Sequence, residues 1–349
     1  MRRRHGALSN NLAFRVCDMT ATLADLPFMY LYIRLDGEDK PMFRSRERSK
    51  AKSNQIVPDE YAPAIGRFAA AVKGSLEKAE GVIDYEGLRC RLSRQNMAGG
   101  EEWVCARRID TNIPELNKLG FASHIANHMH GLGTRDGLIL IAGAADQGKT
   151  TTAAALLADF LRSYGGTAVA LEAPPEYNLK GRHGANGQCF QFDVTNDDDW
   201  AVCLKRALLW APQYIFAGEI RAPQAAEQLI RAASTGHLVI TTMNAGAPED
   251  ALIGLLFLAE QAMGPSASGM LGSSMTALVF QTMKEDGPFI RYLFTEPDAP
   301  GDPIRSLIRE GKVTMISTYI DRIAARLSNQ PTGGSLPPLS NLPPLPKKP

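Results

Sequence analysis

The chain has 349 residues, a hydrophobic content of 44%, a charged content of 21% and a formal net charge of +1. These values are typical of a globular protein of roughly two domains, and the near-neutral charge argues against direct nucleic-acid binding. The sequence has no run of about 18 apolar residues, so no membrane span is predicted. The start MRRRHG does not predict a secretory signal. The five scattered cysteines favour reduced thiols over a disulfide framework or a zinc site.

The N-terminal part, residues 1–110, predicts a small α+β domain. An aromatic and β-branched run at residues 28–35 predicts a strand that ends in an Asp-Gly turn. Apolar residues at helical spacing predict one helix over residues 58–78. Alternating residues at 82–92 and 103–109 predict a pair of strands.

Basic residues are frequent in this part of the chain. Residues 40–52 are dense in Arg, Lys and Ser and are interpreted as a solvated loop, with a patch that contacts a membrane or a partner as the alternative. The arginines on the paired strands are either exposed strand charges or arginine fingers that reach a γ-phosphate. They are Arg89, Arg91, Arg107 and Arg108.

Residues 111–136 are predicted to form a linker that contains a helix over residues 114–130. This segment contains His124, His128 and His130. The spacing of His124 and His128 places both on one helix face. No carboxylate accompanies them at the required spacing. A polar helix face is therefore favoured over a metal site that includes His130.

The stretch GLILIAGAADQGKTTT at residues 137–152 carries the most specific motif of the chain. Residues 138–142 predict a buried parallel strand, and residues 151–161 predict an Ala- and Leu-rich helix. The G-x4-G-K-T match lies between them, in the strand–turn–helix context that the phosphate-binding P-loop requires. The alternative is a Gly-rich turn that binds nothing.

The chemistry of this motif assigns a role to each residue type. Gly143 and Gly148 allow backbone N–H groups to face a phosphate chain, and the helix N-terminus adds the positive end of its dipole. Lys149 is predicted to reach the β- and γ-phosphates, and Thr150 to bind Mg²⁺. The predicted ATP-binding residues are Gly143, Ala144, Ala145, Asp146, Gln147, Gly148, Lys149, Thr150 and Thr151.

Carboxylates follow two further buried strands. Glu172 and Glu176 come after the strand at residues 167–171, where open parallel sheets bind their ligands, and are candidates for activating water or orienting Mg²⁺. The strand at residues 214–217 ends at Glu219. A carboxylate directly after a hydrophobic strand is the Walker B arrangement, which polarises the water that attacks the γ-phosphate.

A fourth core strand at residues 237–242 is followed by Asn244. A polar residue at the tip of that strand is predicted to lie near the γ-phosphate. His237 has a second interpretation, as a strand-entry histidine whose hydrogen bonds are satisfied. The C-terminal part predicts helices over residues 250–263, 268–283, 304–309 and 315–327, a strand over residues 289–296, and a Pro-rich tail from residue 331.

In sequence order, these motifs read P-loop, E-x-P-x-E, strand-G-E-I-R and T-G-H-L-V-x-T-T. From about residue 84 to residue 326 they resemble the PilT-type ATPases of type II and type IV secretion and of type IV pili. PIRSLIRE at residues 303–310 resembles the A-I-R-N-L-I-R-E motif of the PilT branch. LEAPPEY at residues 171–177 resembles the E-A-P-I-E-F of the DotB and TraJ ATPases.

The resemblance implies an α/β fold class. It implies a PAS-like domain over residues 1–110, a linker over 111–136, and a RecA-like P-loop ATPase domain over 137–328 with a helical C-terminal part. The Pro-rich composition of residues 329–349 predicts a disordered tail. The resemblance further implies a homohexamer that binds ATP and Mg²⁺. Such a ring docks on inner-membrane platform or secretion-channel proteins, and is cytoplasmic and peripheral to the bacterial inner membrane.

The resemblance also assigns roles to individual residues. Lys149, Glu176 and Glu219 are the implied catalytic residues, and Thr150 is the implied Mg²⁺ ligand. The implied sensor and arginine-finger residues are Arg89, Arg91, Arg107, His237 and Asn244.

Several positions depart from the family pattern, and Asp146 places an acidic residue beside the expected phosphates. The departures favour nucleotide binding over fast turnover. The predicted function is a hexameric ATPase for type IVB-like secretion, conjugative DNA transfer or type IV pilus dynamics. The alternatives are a regulatory ring subunit with weak or partner-dependent hydrolysis, and a small-substrate P-loop transferase. The departing residues are Ala173, Leu209, Gln213, Ala222 and Asn244.

Overall fold

The structure is a computed structural model of the chain. It describes residues 21–46, 53–75, 79–109, 112–194, 199–285, 287–296 and 301–328. The predicted tail at residues 329–349 and part of the basic segment, residues 47–52, lie outside the described residues. The chain divides between Arg108 and Ile109 into two compact units, and each unit is described by itself.

The first unit is a sheet with a helix packed in its core. Its strands are β1 (Phe28–Arg34), β2 (Met42–Ser45), β3 (Asn54–Ile56), β4 (Glu80–Tyr85), β5 (Leu88–Asn96) and β6 (Glu102–Ile109), and its helix is α1 (Ala62–Ser75). Within the described residues the strand order is β3-β2-β1-β6-β5-β4. The apolar stripe of α1 is buried with alternate residues of the strands, which explains the helical and alternating patterns of the sequence.

Two features of this unit differ from the sequence-based prediction. The single strand expected over residues 82–92 is a hairpin of β4 and β5, because Glu86 and Gly87 turn the chain with φ values of 46° and 79°. Positive φ at both central residues matches the twist of the flanking strands. The basic segment, predicted as a loop, contains the short strand β2, which pairs with both β1 and β3.

The second unit is built on a larger sheet. Its strands are β7 (Gly137–Gly143), β8 (Gly166–Glu172), β9 (Gly181–His183), β10 (Gly187–Asp193), β11 (Tyr214–Glu219), β12 (Leu238–Asn244), β13 (Met275–Lys284) and β14 (Gly287–Phe294). In the described part of the chain the order is β14-β13-β7-β12-β11-β8-β10-β9. The inner pairs are parallel, and β14 and β9 are antiparallel edge strands.

Helices complete this unit. They are α2 (Ser123–Gly131), α3 (Lys149–Tyr164), α4 (Trp200–Leu208), α5 (Pro223–Ser234), α6 (Pro248–Met263), α7 (Ser266–Ser274), α8 (Pro303–Arg309) and α9 (Ile316–Ser328). Every residue of β7 is buried. A parallel strand that is covered on both faces has no polar side, which explains the continuous apolar run at this position.

The sequence-based prediction is wrong where buried segments lack periodicity. The helix expected over residues 268–283 ends with α7 at Ser274, and the rest is strand β13. The first seven residues of β13 are buried, so neither the helical nor the alternating pattern is visible. Strands β9 and β10 were not predicted at all. Among the described helices, none combines the length and hydropathy that a membrane span requires.

Candidate nucleotide-binding site

The polar residues of the predicted site converge at one edge of the larger sheet. Gly143, Asn244, Glu219 and Glu172 are the last residues of β7, β12, β11 and β8, which are neighbours in that order. Asn244 is in register with Gly143. Because the strands are parallel, their carboxyl ends lie at the same edge, and β12 alone separates the P-loop strand from the Glu219 strand.

The P-loop joins β7 directly to α3. Gly148 precedes the helix in the left-handed region, with φ of 77°, and Asp146 is exposed with φ of 59°. At Gly143 a Cβ atom would lie 2.3 Å from the carbonyl oxygen of Gln281. Only glycine fits this close approach to β13, which gives the motif glycine a steric reason.

Side chains also tie the loop to β13. The backbone N–H of Met283 donates to Oε1 of Gln147 at 2.6 Å, and the hydroxyl of Thr152 donates to Oε1 of Gln281 at 2.7 Å. Gln281 and Met283 were missed by the sequence analysis because their segment was predicted as a helix. The end of the loop and the first turn of α3 are therefore held by a strand that lies far from them in sequence.

A chain of hydrogen bonds links the motif lysine to the Walker B carboxylate. Lys149, only 9% exposed, donates to the carbonyl oxygen of Ala144 at 2.6 Å and to Oδ1 of Asn244 at 2.7 Å. The amide Nδ2 of Asn244 donates to Oε1 of Glu219 at 2.6 Å. Arg221 donates to the other oxygen of Glu219 at 2.7 Å. One amide thus bridges the buried cation and the carboxylate.

The donor set of this edge fits a nucleotide with Mg²⁺. A helix N-terminus and a lysine face the loop where a phosphate chain would lie. Thr150, the second residue of α3, and Glu219 offer the oxygen ligands that Mg²⁺ prefers. These residues would hold the metal and the phosphates.

The loop after β8 is shaped by a buried carboxylate. Glu172 is 3% exposed, and its oxygens accept from Nε2 of Gln191 at 2.7 Å and from the N–H of Glu176 at 3.4 Å. Gln191 also donates to the carbonyl oxygen of Tyr177. The hydroxyl groups of Tyr177 and Thr151 lie 2.7 Å apart, so this loop contacts α3. Glu172 fixes the loop, and half-buried Glu176 is the better candidate for chemistry.

His237 lies away from this edge within the second unit. It precedes β12, its carbonyl oxygen accepts from the N–H of Gly137, and its Nδ1 lies 3.1 Å from the carbonyl oxygen of Ala232. The seven residues of β12 separate it from the tip by about 23 Å at 3.3 Å per residue. This geometry favours the strand-entry interpretation of His237, whereas Asn244 occupies the tip.

The predicted arginine residues belong to the first unit. Arg89 and Arg91 are on β5. Nε of Arg89 lies 3.9 Å from Oδ1 of Asp84, and Nη2 of Arg91 lies 3.5 Å from Oε2 of Glu80. Arg107 is on β6. Their role toward a phosphate stays a prediction.

The histidines of α2 do not form a metal site in the described residues. Nδ1 of His128 lies 2.7 Å from the hydroxyl of Tyr292, and Nδ1 of His130 lies 2.6 Å from Asp159. The two side chains therefore bond to different elements, β14 and α3. Burial lowers the pKa of His128 to about 4, and the nearby Arg135 adds to this effect.

Comparison with known proteins agrees with this geometry. The sequence model of the type II/IV secretion system protein family matches residues 78–288, more than half of the chain. The chain belongs to this family.

Several proteins of known sequence are similar to this chain. The type IV pilus ATPase PilU of Pseudomonas aeruginosa is 34% identical over 162 residues, which is 46% of this chain and 39% of PilU. A putative type II secretion system protein E of Escherichia coli is 29% identical over 241 residues, 65% of this chain and 46% of that protein. The chain thus matches less than half the length of these two curated relatives.

Two solved structures have the same fold as this secretion-family chain. The pilus retraction motor PilT with bound ADP has a TM-score of 0.64 and 21% identity, covering 86% of this chain and 87% of PilT. The ATPase DotB of Legionella pneumophila has a TM-score of 0.66 and 17% identity, and the match covers 87% of this chain and 85% of DotB. At these identities the likeness concerns the mixed α/β fold alone.

Proposed function

We propose that the second unit binds ATP with Mg²⁺ at the P-loop and hydrolyses it. The observation that carries this proposal is the hydrogen-bond chain from Lys149 through Asn244 to Glu219. It brings the cation that neutralises phosphate charge and the carboxylate that polarises water to the same strand edge. The names of similar proteins, a pilus ATPase and a retraction motor with ADP, support the same activity.

Each residue has a defined task in this proposal. Lys149 exchanges its contacts with Ala144 and Asn244 for phosphate oxygens, and so stabilises the charge of the transition state. Glu219 orients and polarises the attacking water while Asn244 and Arg221 hold its carboxylate in place. Mg²⁺, held by Thr150, supplies further neutralisation of the phosphate charge. Glu176 is a second candidate for positioning the water.

The finer architecture of the chain is part of the proposal. The strand order β13-β7-β12-β11-β8, with one strand between the P-loop and Glu219, supports a RecA-like layout for residues 137–328. The sheet and helix of the first unit support a PAS-like domain within residues 1–110. Residues 111–136 are the proposed linker, and 329–349 the proposed disordered tail. A homohexameric ring would bring Arg89, Arg91 and Arg107 to a γ-phosphate.

The machine that such a ring drives belongs to secretion or to pili. The similar proteins carry the names of pilus ATPases and type II secretion proteins. We therefore place the chain at the cytoplasmic face of the bacterial inner membrane, on a platform or channel protein. The E-A-P-P-E-Y motif keeps type IVB-like secretion and conjugative transfer among the candidates.

A second candidate is a nucleotide-binding regulatory subunit with weak or partner-dependent hydrolysis. The observation that favours it is the amide at Asn244, one of the positions that depart from the family pattern. In this structure the amide holds Lys149 at 2.7 Å, and that contact has to be exchanged before the lysine binds phosphate.

Loss of the lysine tests the binding role. In Lys149→Ala, Mg²⁺-ATP hydrolysis is expected to fall by about 10²- to 10³-fold because the principal cation of the loop is removed. Steady-state phosphate release measures this, with exposed Lys205→Ala on α4 as the matched control. Normal turnover in Lys149→Ala, with the thermal unfolding midpoint unchanged, would refute the assignment.

Replacing the carboxylate by its amide separates chemistry from binding. Glu219→Gln keeps an oxygen for the Asn244 amide but removes the charge that polarises water, so turnover should fall by about 10²-fold or more while ATP still binds. Glu227→Gln on α5 is the control. Tight ATP binding with no turnover in the native chain would instead support the regulatory subunit.

A further inference from the structure

A second polar cavity opens at the opposite edge of the larger sheet. Its volume is about 800 Å³, within the range of small-molecule sites. Its lining includes Gly137 and Tyr214, which begin β7 and β11, and Thr276 near the start of β13. The cavity therefore lies at the amino ends of the parallel strands, whereas the P-loop lies at their carboxyl ends.

Two arginines converge in the lining of this cavity. Arg135 donates to the carbonyl oxygen of Thr295 at 2.7 Å and to its hydroxyl oxygen at 3.4 Å. Arg305, from α8, donates to the same hydroxyl oxygen at 3.3 Å. Thr295 is 1% exposed and uncharged. One neutral residue thus holds two guanidinium groups side by side.

Neither guanidinium forms a salt bridge in the described residues, although nearby carboxylates partly offset the charge of Arg135. Within the described part of the chain, no carboxylate oxygen lies within 4.0 Å of Arg135 or Arg305. The Nε atom of Arg305 is buried and has no hydrogen-bond partner. Asp302 is buried close by, but one of its oxygens accepts from the N–H groups of Ile304 and Arg305. Its other oxygen accepts from the N–H of Glu296.

The other polar groups of the cavity offset the charge of Arg135 only in part. Asp136, the acidic residue in the lining, is exposed, and its charge raises the pKa of Arg135 by less than burial and Arg305 lower it. The hydroxyl of Tyr214 donates to Gly133 O, that of Thr276 to Asp136 O, and that of Thr134 to a carbonyl of its own turn. The guanidinium N–H groups are therefore the cavity's main charged donors.

Two like charges in a half-buried position repel each other. Burial lowers the pKa of Arg135, and the charge of Arg305 is the next cause. Guanidinium groups pair with planar or tetrahedral oxyanions through parallel N–H bonds. A doubly charged anion would offset both charges, and a phosphate monoester carries about −1.5 to −2 at neutral pH.

We propose that this cavity binds a phosphate-bearing small anion, with Arg135 and Arg305 as its charged ligands. The site is separate from the P-loop and does not depend on whether the chain hydrolyses ATP. A free phosphate compound and a phospholipid headgroup share the recognised chemistry, and the experiment below distinguishes them.

The direct test is calorimetric titration of the full chain with pyrophosphate. The titration uses Lys149→Ala as the background, so that the P-loop contributes little phosphate binding. Saturable binding is expected, and it should weaken at least about tenfold when both arginines are replaced, in Arg135→Gln with Arg305→Gln. Exposed Arg182→Gln on β9 is the matched control. Undetectable binding, or binding that the arginine substitutions leave unchanged, would overturn the proposal.

A second readout needs no substitution. Phenylglyoxal modifies guanidinium groups, and peptide mass mapping reports which arginines react in the native chain. Pyrophosphate should protect Arg135 and Arg305 and leave Arg182 reactive. Equal reactivity with and without pyrophosphate would overturn the proposal even if the variants failed to fold.

Vesicles identify the source of the phosphate. The chain is sedimented with phosphatidylcholine vesicles that contain or lack phosphatidylglycerol. Binding that needs the anionic lipid and is lost in the double arginine variant supports a headgroup as the ligand. Pyrophosphate binding without vesicle binding supports a free phosphate compound.

Discussion

The two edges of the larger sheet hold their charged groups differently. At the carboxyl edge, one hydrogen-bond chain joins Lys149, Asn244 and Glu219. At the amino edge, Arg135 and Arg305 share the hydroxyl of Thr295. Both edges collect polar groups because strand ends leave backbone groups that loops must satisfy. The carboxyl edge links its buried cation to a carboxylate through one amide. The amino edge leaves its two cations without a carboxylate partner in the described residues.

This difference bears on how each edge meets an anion. At the P-loop, Lys149 has partners that hold it in position and that a phosphate has to replace. At the cavity, the guanidinium groups lie near each other before any ligand arrives, so an anion would relieve repulsion as well as form bonds. Bound anions are therefore expected to stabilise the amino edge.

The largest expected effect is on the pH dependence of stability, through a histidine near Arg135. His128 contacts Tyr292. Burial, and to a lesser extent the charge of Arg135, lower the pKa of His128 from the ordinary 6.5 to about 4 in the folded chain. The folded state thus disfavours the proton that the unfolded chain accepts. Stability from this group is full above pH 6.5 and is lost as the pH falls toward 4, by about 3 kcal/mol.

Urea unfolding at a series of pH values across this window measures the effect. Because carboxylates also titrate near its lower end, the informative quantity is the difference between the native chain and His128→Gln. The difference should shrink as the medium becomes more acidic. A constant difference over the window would contradict the lowered pKa.

Removing the shared acceptor tests how the two guanidinium groups are held. In Thr295→Val, Arg135 and Arg305 lose the hydroxyl oxygen and the carbonyl oxygen of Met275 loses its donor. The free energy of unfolding should therefore fall by about 1–3 kcal/mol. Thr134→Val removes an exposed hydroxyl as the control and should cost less than about 0.5 kcal/mol. Equal stabilities of the two variants would show that the threonine does not hold the arginines together.

The amide at the carboxyl edge is expected to have the smallest effect. Asn244→Ala removes one acceptor from Lys149 and one donor from Glu219, while Ala144 and Arg221 still hold them. A decrease of kcat of about tenfold, or about 1.4 kcal/mol in the barrier, is expected. Exposed Asn117→Ala is the control. An unchanged kcat in Asn244→Ala would remove the amide from the mechanism.

The sequence predicts elements whose pattern is local. The apolar run before Gly143, the glycine spacing and the helix that follows indicate the P-loop without any tertiary information, and β7 and α3 lie where they were expected. The amphipathic helices α1 and α6 were predicted within a few residues of their ends. In these segments the period of the apolar residues matches the element.

Other features depend on contacts between distant segments. Strand β13 was predicted as a helix because it is buried on both faces and shows no alternation. Its Gln281, which packs against Gly143 and bonds Thr152, was missed for the same reason. The hydrogen bond between Lys149 and Asn244 forms because β12 is the neighbour of β7. No local sequence pattern predicts the order of the strands in the sheet.

The account depends most on Asn244 acting through Glu219, and a double-mutant cycle tests this directly. Steady-state Mg²⁺-ATP hydrolysis is measured for the native chain, Asn244→Ala, Glu219→Gln and the double variant. If the amide works by holding the carboxylate, the double variant should lose little more than Glu219→Gln alone. Fully additive losses would contradict the account, because they would mean that the two side chains act independently.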